Sequence, residues 1–220
     1  MVDRQGALCL ACWRETPFLR GHGCDACAAP LVGEGDGTAD VCDECLERKR
    51  PWGRARAAMA YGGAGWRLVL GLKHGDRTDL CRPAAGWIHS AARDIIGPAT
   101  LLIPVPIHWT RRIRRRYNQS AELVRALAPL AGCRCLCDAL VRTRATPKQD
   151  GLGVDARFRN QAGTIALRRA AAPHIEDAKI VLIDDVMTSG AILAAAAEAL
   201  LSAGAASVDC GVLARAVKSS

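Results

Sequence analysis

Three Cys-x-x-Cys pairs, Cys9/Cys12, Cys24/Cys27 and Cys42/Cys45, crowd the first 45 residues of a 220-residue chain. The segment around them is rich in Gly and Asp and has little apolar periodicity, so it cannot bury a core by itself and needs a staple. Two residues between cysteines let both thiolates of a pair reach one tetrahedral ion at about 2.3 Å. The start, Met-Val-Asp-Arg-Gln, lacks the apolar stretch of a secretory signal. The expectation is a cytoplasmic, reducing setting, in which metal binding is favoured over a disulfide framework. Cys24, Cys27, Cys42 and Cys45, two pairs with 14 residues between them, complete one structural Zn2+ site with no open position. Cys9 and Cys12 are a spare pair or part of a second site that needs His22 or another partner. Packing of reduced thiols as small apolar residues would account for single cysteines but not for three pairs in succession.

Residues 1–50 therefore read as a small cysteine-rich zinc module and 51–220 as a larger domain. In the latter a short strand is expected over 57–61, a helical turn over 66–72, and a helix over 83–96 stopped by Gly97-Pro98. A buried strand over 101–106 ends in prolines. Ser120 reads as the N-cap of a helix reaching 131, with Gly132 as its stop. At the C-terminus a buried strand over 180–183, a helix over 190–203 and a strand over 208–213 make a βαβ unit. The predicted class is α/β, a parallel sheet flanked by helices. The longest apolar stretch, 191–201, is broken by Glu198 and too short to cross a bilayer, so no membrane insertion is expected. Cys133, Cys135 and Cys137 alternate, which would turn all three to one side of a strand, packed at a core or edge, with metal or redox chemistry as the alternative. Cys81 and Cys210 are expected to be buried. Gly33-x-Gly35-x-Gly37 is no dinucleotide motif, since no strand precedes it and no helix follows.

The sharpest chemical signal is Ile183-Asp184-Asp185-Val186-Met187-Thr188-Ser189-Gly190-Ala191. A buried strand delivers two adjacent carboxylates, acceptors suited to the vicinal hydroxyls of a ribose or to hydrated Mg2+. Thr188, Ser189, Gly190 and Ala191 then offer hydroxyls, backbone amides and a helix N-terminus, an anion site of phosphate size. Hydroxyl acceptors and a phosphate cradle a few residues apart match a sugar 5-phosphate. Charge points the same way. Residues 101–160 carry 12 Arg/Lys against 4 Asp/Glu, while the rest of the chain carries 18 of each, so the net charge of +8 sits in one segment.

The Asp-Asp loop resembles the phosphoribosyl pyrophosphate (PRPP) signature of type I phosphoribosyltransferases. With the cysteine pairs, Tyr61-Gly62, Leu72-Lys73-His74-Gly75-Asp76-Arg77, Pro104-Val105-Pro106, Arg115-Arg116-Tyr117-Asn118-Gln119-Ser120, Arg142-Thr143-Arg144-Ala145-Thr146, Gln149, Arg157 and Asn160, the chain resembles the ComF family of competence-associated proteins. The resemblance implies a phosphoribosyltransferase-type domain that binds PRPP with Mg2+. Asp184 and Asp185 would hold the ribose and residues 188–191 the 5-phosphate. Lys73 and arginines of the 111–116 run, Arg115 and Arg116 among them, would meet the pyrophosphate. Asn118, Gln119, Gln149, Arg157 and Asn160 would hold an acceptor or close a lid, and His74 is a minor acid-base candidate. Ile192 departs from the family pattern, which usually has a hydroxyl residue there.

Three functional classes follow: a phosphoribosyl transfer enzyme of unknown acceptor; an accessory protein in DNA uptake, binding single-stranded DNA or DNA-processing proteins; and a PRPP sensor without turnover. Aromatic residues near the basic run are few (Trp109 and Tyr117), so base stacking is weakly encoded.

Overall fold

A computed structural model of the chain describes residues 8–33, 35, 39–74, 77–107, 117–144 and 153–217. The described part of the cysteine-rich segment holds two short helices, α1 (Leu10–Glu15) and α2 (Asp43–Glu47), joined by irregular chain. The larger domain then runs β1 (Ala55–Ala60), α3 (Gly63–His74), α4 (Cys81–Ala91), β2 (Thr100–Pro104) and α5 (Gln119–Ala131). It continues through β3 (Arg134–Cys135), β4 (Leu140–Arg142), α6 (Val154–Gln161) and β5 (Ile165–Leu167). Last come β6 (Lys179–Met187), α7 (Ala191–Leu201) and β7 (Ser207–Arg215).

Five strands form a wholly parallel sheet in the order β1-β7-β6-β2-β3, and β4 pairs with β5 in a separate antiparallel ladder. Strand β6 is central and buried on both sides. Ile180 and Leu182 face α7 (Leu193, Ala196, Ala197, Leu200), whereas Val181 and Ile183 face α4 and α5 (Ile88, Leu123, Leu127). This is the expected alternation of a strand covered by helices on both faces, and it explains why the sequence reads as a continuous apolar run. Helix α5 stops at Gly132 in the left-handed conformation (φ 62°), where the Cys133 amide donates to the Ala128 carbonyl at 3.1 Å.

The α/β architecture behind a cysteine-rich module agrees with the sequence reading, with several local corrections. Strand β6 runs on to Met187, so both aspartates lie in the strand and the turn is shorter than the sequence suggests. The N-cap of α5 is Asn118, whose side chain accepts from the Ser120 amide; Ser120 is inside the helix and free to point elsewhere. Lys73, just beyond the helical turn expected over 66–72, is in the last full turn of α3. The helix expected over 83–96 ends at Ala91 and gives way to turns. Of the three alternating cysteines only Cys135, which is exposed, lies in a strand, while Cys133 and Cys137 pack against the α4/α5 layer. Cys81 and Cys210 are buried as expected. No helix among the described residues is long and apolar enough to cross a membrane.

The module is fastened to the sheet. Trp52 is buried and its indole N–H donates to the Ala26 carbonyl at 2.7 Å; the Ala55 amide at the head of β1 donates to the Asp25 carbonyl, also at 2.7 Å. Leu182, fully buried at the centre of the sheet, tests how far the layers share one core. Leu182→Ala should lower stability by about 2–5 kcal/mol, measured from the urea midpoint at unchanged slope.

Candidate functional site

Strand β6 ends by presenting Asp184 and Asp185 at the carboxyl edge of the sheet, the edge at which open α/β sheets bind ligands. Asp185 is 8% exposed and its Oδ1 lies 3.1 Å from the Lys73 ammonium on α3. Asp184 is half-buried, and its Oδ1 accepts from the Ser120 hydroxyl of α5 at 2.8 Å and from the Asp185 amide at 2.9 Å. The Tyr117 hydroxyl donates to the Leu72 carbonyl at 2.7 Å, which ties the entry to α5 to the turn that carries Lys73. Burial, and then the neighbouring charge of Asp185, push the Asp184 carboxyl up to about 7 against the pull of Ser120 and Lys73.

Beyond Met187 the chain turns through Thr188, Ser189 and Gly190 into α7. Gly190 is left-handed (φ 79°), and a Cβ there would come 3.0 Å from the Trp52 ring. Thr188 is exposed; Ser189 is buried, and its hydroxyl oxygen accepts from the Ala191 amide at 3.4 Å. Ile192 is half-buried against the core and adds no polar atom to the turn.

The turn's carbonyls face the cysteine-rich module. Arg215, buried at the end of β7, donates from Nη1 to the Thr188 carbonyl (2.5 Å), from Nε to the Cys27 carbonyl (2.8 Å) and from Nη2 to the Cys27 sulfur (3.7 Å). Arg50, its side chain 1% exposed, donates from Nη1 to the Ser189 carbonyl (2.9 Å), from Nε to the Cys45 sulfur (3.4 Å) and from Nη2 to Glu44 Oε1 (2.7 Å). Arg50 also lies over the Trp52 and Phe158 rings, and Arg48 over Phe158 while paired with Asp155, so α6 is gathered to the same point.

The ligand atoms of Cys24, Cys27, Cys42 and Cys45 all lie within 4.8 Å of one another, with Cys27 and Cys42 3.7 Å apart. Zinc–sulfur bonds of about 2.3 Å imply sulfurs about 3.8 Å apart in a tetrahedron, so the four thiols are gathered closely enough to hold a structural zinc. A hydrogen bond from Cys24, and Arg215 beside it, lower Cys27 to about 4. Sharing that proton, together with burial, pushes Cys24 up, and burial takes Cys45 up to about 11. Zinc binds thiolates, so its uptake releases the protons these thiols hold.

The structure thus gathers Lys73, Asp184, Asp185 and residues 188–191 at one sheet edge. Cys9 and Cys12 stand outside the four-cysteine cluster, with the Cys9 sulfur accepting from the Cys12 amide at 3.5 Å. His22 completes no metal site among the described residues; its Nε2 pairs with Asp40 at 2.5 Å. Arg115 and Arg116, with the rest of the 111–116 run, and Gln149 lie outside the described residues. Arg157 and Asn160 are on α6, where Arg157 Nε and Asn160 Nδ2 are buried without a hydrogen-bond partner. Sequence reasoning read Ser120 as a helix cap and not as a partner of Asp184, and it missed Arg50, Trp52 and Arg215. Only Arg215 left a trace, as a charge closing the apolar run of β7.

Residues 1–54 match the family model of the double zinc ribbon domain, and residues 108–219 that of the phosphoribosyl transferase domain. The DNA utilization protein YhgH of Escherichia coli O6:H1 is 30% identical over 179 residues, 79% of this chain and 77% of that protein. Competence protein F of Haemophilus influenzae is 27% identical over 185 residues, 81% and 80% of the two chains. A hypoxanthine phosphoribosyltransferase from Trypanosoma cruzi superposes with a TM-score of 0.35 at 16% identity, over 71% of this chain and 74% of that one. That superposition is too loose to equate individual residues.

Two outcomes check the site's electrostatics. The Asp184 carboxyl keeps its proton up to about 7 when folded but loses it from 3.8 upward when unfolded. Folding across that window takes up a proton, so stability falls as pH rises. Denaturant midpoints between about pH 4.5 and 7 should fall further in wild type than in Asp184→Asn. Metal analysis should find zinc lost in Cys24→Ser and the cluster's ion retained in Cys9→Ser.

Proposed function

Because the chain belongs to the ComF family of competence-associated proteins, which join a double zinc ribbon to a phosphoribosyl transferase domain, we propose that it binds PRPP where β6 runs into α7. The observation that carries this reading is the succession of Asp184, Asp185 and a left-handed glycine turn at the N-terminus of an 11-residue helix, all at the carboxyl edge of the sheet. Asp184 and Asp185 accept from the ribose hydroxyls. Thr188, Ser189, Gly190 and Ala191 take the 5-phosphate through amides and hydroxyls. Lys73, already at Asp185, lies where pyrophosphate charge would be met, and Arg115 and Arg116 are assigned to the same end. Division into a zinc module (1–50) and a PRPP-binding domain (51–220) belongs to this reading, as does a cytoplasmic setting.

Mg2+ suits this arrangement. Asp185 already holds an ammonium group, so the two carboxylates are no self-sufficient cage. Magnesium is commonly held by one or two carboxylates together with substrate phosphates. Asp184 and Asp185 would help hold it beside the ligand's phosphates, and it would supply positive charge to offset the leaving pyrophosphate. The reaction we assign is displacement of pyrophosphate at the anomeric carbon by a nitrogen nucleophile. With an oxocarbenium-like transition state, the chain's work is to orient the ribose and stabilise charge on the leaving group. Among the described site residues none is placed as a covalent nucleophile.

A second reading, a DNA-linked accessory role, is favoured by the excess of 12 basic over 4 acidic residues in 101–160 and by the names of the relatives. Single-stranded DNA or proteins that process it would then be partners, and affinity should fall steeply with salt.

Calorimetry with PRPP and Mg2+ tests the first reading. Asp184→Asn/Asp185→Asn should weaken binding by about tenfold or more, since each lost bond to a charged group is worth about 1.5–3 kcal/mol. Equal affinity in wild type and variant would mean these carboxylates do not hold the ligand. Pyrophosphate release with a panel of nitrogen acceptors then separates turnover from sensing.

A further inference from the structure

We infer that Arg50 and Arg215 are positioning residues through which the zinc-thiolate cluster aims the phosphate-binding turn, so that zinc binding and PRPP binding strengthen each other. The inference rests on the PRPP reading for the identity of the ligand, but its geometry does not.

Each guanidinium spans the two sites. Arg215 reaches the Cys27 sulfur and the Thr188 carbonyl; Arg50 reaches the Cys45 sulfur and the Ser189 carbonyl. In a planar trans peptide the carbonyl and the next residue's N–H point in opposite directions. Holding the carbonyls of Thr188 and Ser189 on the module side therefore turns the amides of Ser189 and Gly190 to the other side, where a phosphate takes them. Trp52, with Arg50 over its ring, fills the space beside Gly190, where a Cβ would come 3.0 Å from the indole.

Charge gives the zinc its part. Two buried guanidiniums under an anion site carry a large desolvation cost unless opposite charge lies beside them. A zinc ion held by four thiolates has a net double negative charge, which matches Arg50 and Arg215. On the module side each guanidinium faces a cluster sulfur, Cys45 for Arg50 and Cys27 for Arg215, so an ion that fixes those sulfurs also fixes the arginines. Binding of a phosphate at the turn and of zinc at the cluster are then coupled, and such coupling is reciprocal.

The test uses the full chain with PRPP and Mg2+. Zinc affinity is measured by equilibrium competition with a chromophoric chelator, with and without saturating PRPP. In wild type PRPP should tighten zinc by about fivefold or more. In zinc-loaded Arg50→Ala, PRPP affinity should drop about tenfold and the tightening should vanish. If that variant does not fold, Arg50→Lys, which keeps the charge but cannot reach three acceptors at once, is read in the same way. Zinc affinity indifferent to PRPP that calorimetry shows to be bound, or full PRPP affinity in the zinc-loaded variant, overturns the inference and leaves the proposed site standing. If wild type binds no PRPP, the site reading fails instead. The inference is then judged by hydrogen exchange: zinc chelation must speed exchange at the Ser189 and Gly190 amides, and unchanged protection overturns it.

Discussion

Two carboxylates on successive residues at the end of a central strand are a costly arrangement, and much of the domain is arranged around keeping them there. In a half-dry sheet edge their repulsion would be resolved by protonation or by unravelling the strand. The chain resolves it from two helices on the same side of the sheet. Helix α3 brings the Lys73 ammonium to Asp185, and α5 brings the Ser120 hydroxyl to Asp184. Helix α5 packs on β6 and α3 on the neighbouring β7 within one buried layer, so the core and the site are set by shared contacts. Asp184 nevertheless remains up at about 7. Such a carboxyl responds strongly to an arriving cation, which would restore its ionised form.

The cysteine-rich segment solves a different problem by joining rather than enclosing. Its described helices, α1 and α2, have six and five residues, too short to stand on their own hydrogen bonds. A metal cluster supplies the missing cohesion, and the larger domain supplies the apolar surface: Cys24, Cys27, Cys45 and Trp52 belong to the same buried cluster as Leu182 and Leu193. The ribbon is thus one wall of the domain's core.

What the sequence made legible was whatever depends on local pattern. The cysteine spacing specified the metal cluster, the apolar runs of β2 and β6 specified buried parallel strands, and Gly132 specified the end of α5. What stayed hidden was set by partners far along the chain. Aspartate disfavours strands on local grounds, so β6 was expected to end at Ile183; a tertiary hydroxyl and ammonium let it run on to Met187. Ser120 has the chemistry of an N-cap, but Asn118 takes that role, which leaves the serine for Asp184. Arg50 was invisible because a single arginine after a cysteine pair has no periodicity to mark it, and Arg215 showed only as a charge closing the apolar run of β7. Cys133 and Cys137 escaped the predicted strand because β3 is only two residues long, at the edge of the sheet.

The two ends of the β6–α7 connection are held by opposite means. At the strand end, negative side chains are offset by a cation and a hydroxyl from one face of the sheet. At the turn, backbone carbonyls are held by two cations from the module. On the proposed reading, a ligand with hydroxyls at one end and a phosphate at the other would meet acceptors first and donors second. Preorganised dipoles of this kind lower the cost of binding because the protein has met that cost in folding. A turn of four small residues could not hold such an orientation by its own contacts, since Gly190 has no side chain to anchor it and Ile192 offers no hydroxyl. Its rigidity has to come from what stands behind it, and what stands behind it is the cysteine cluster.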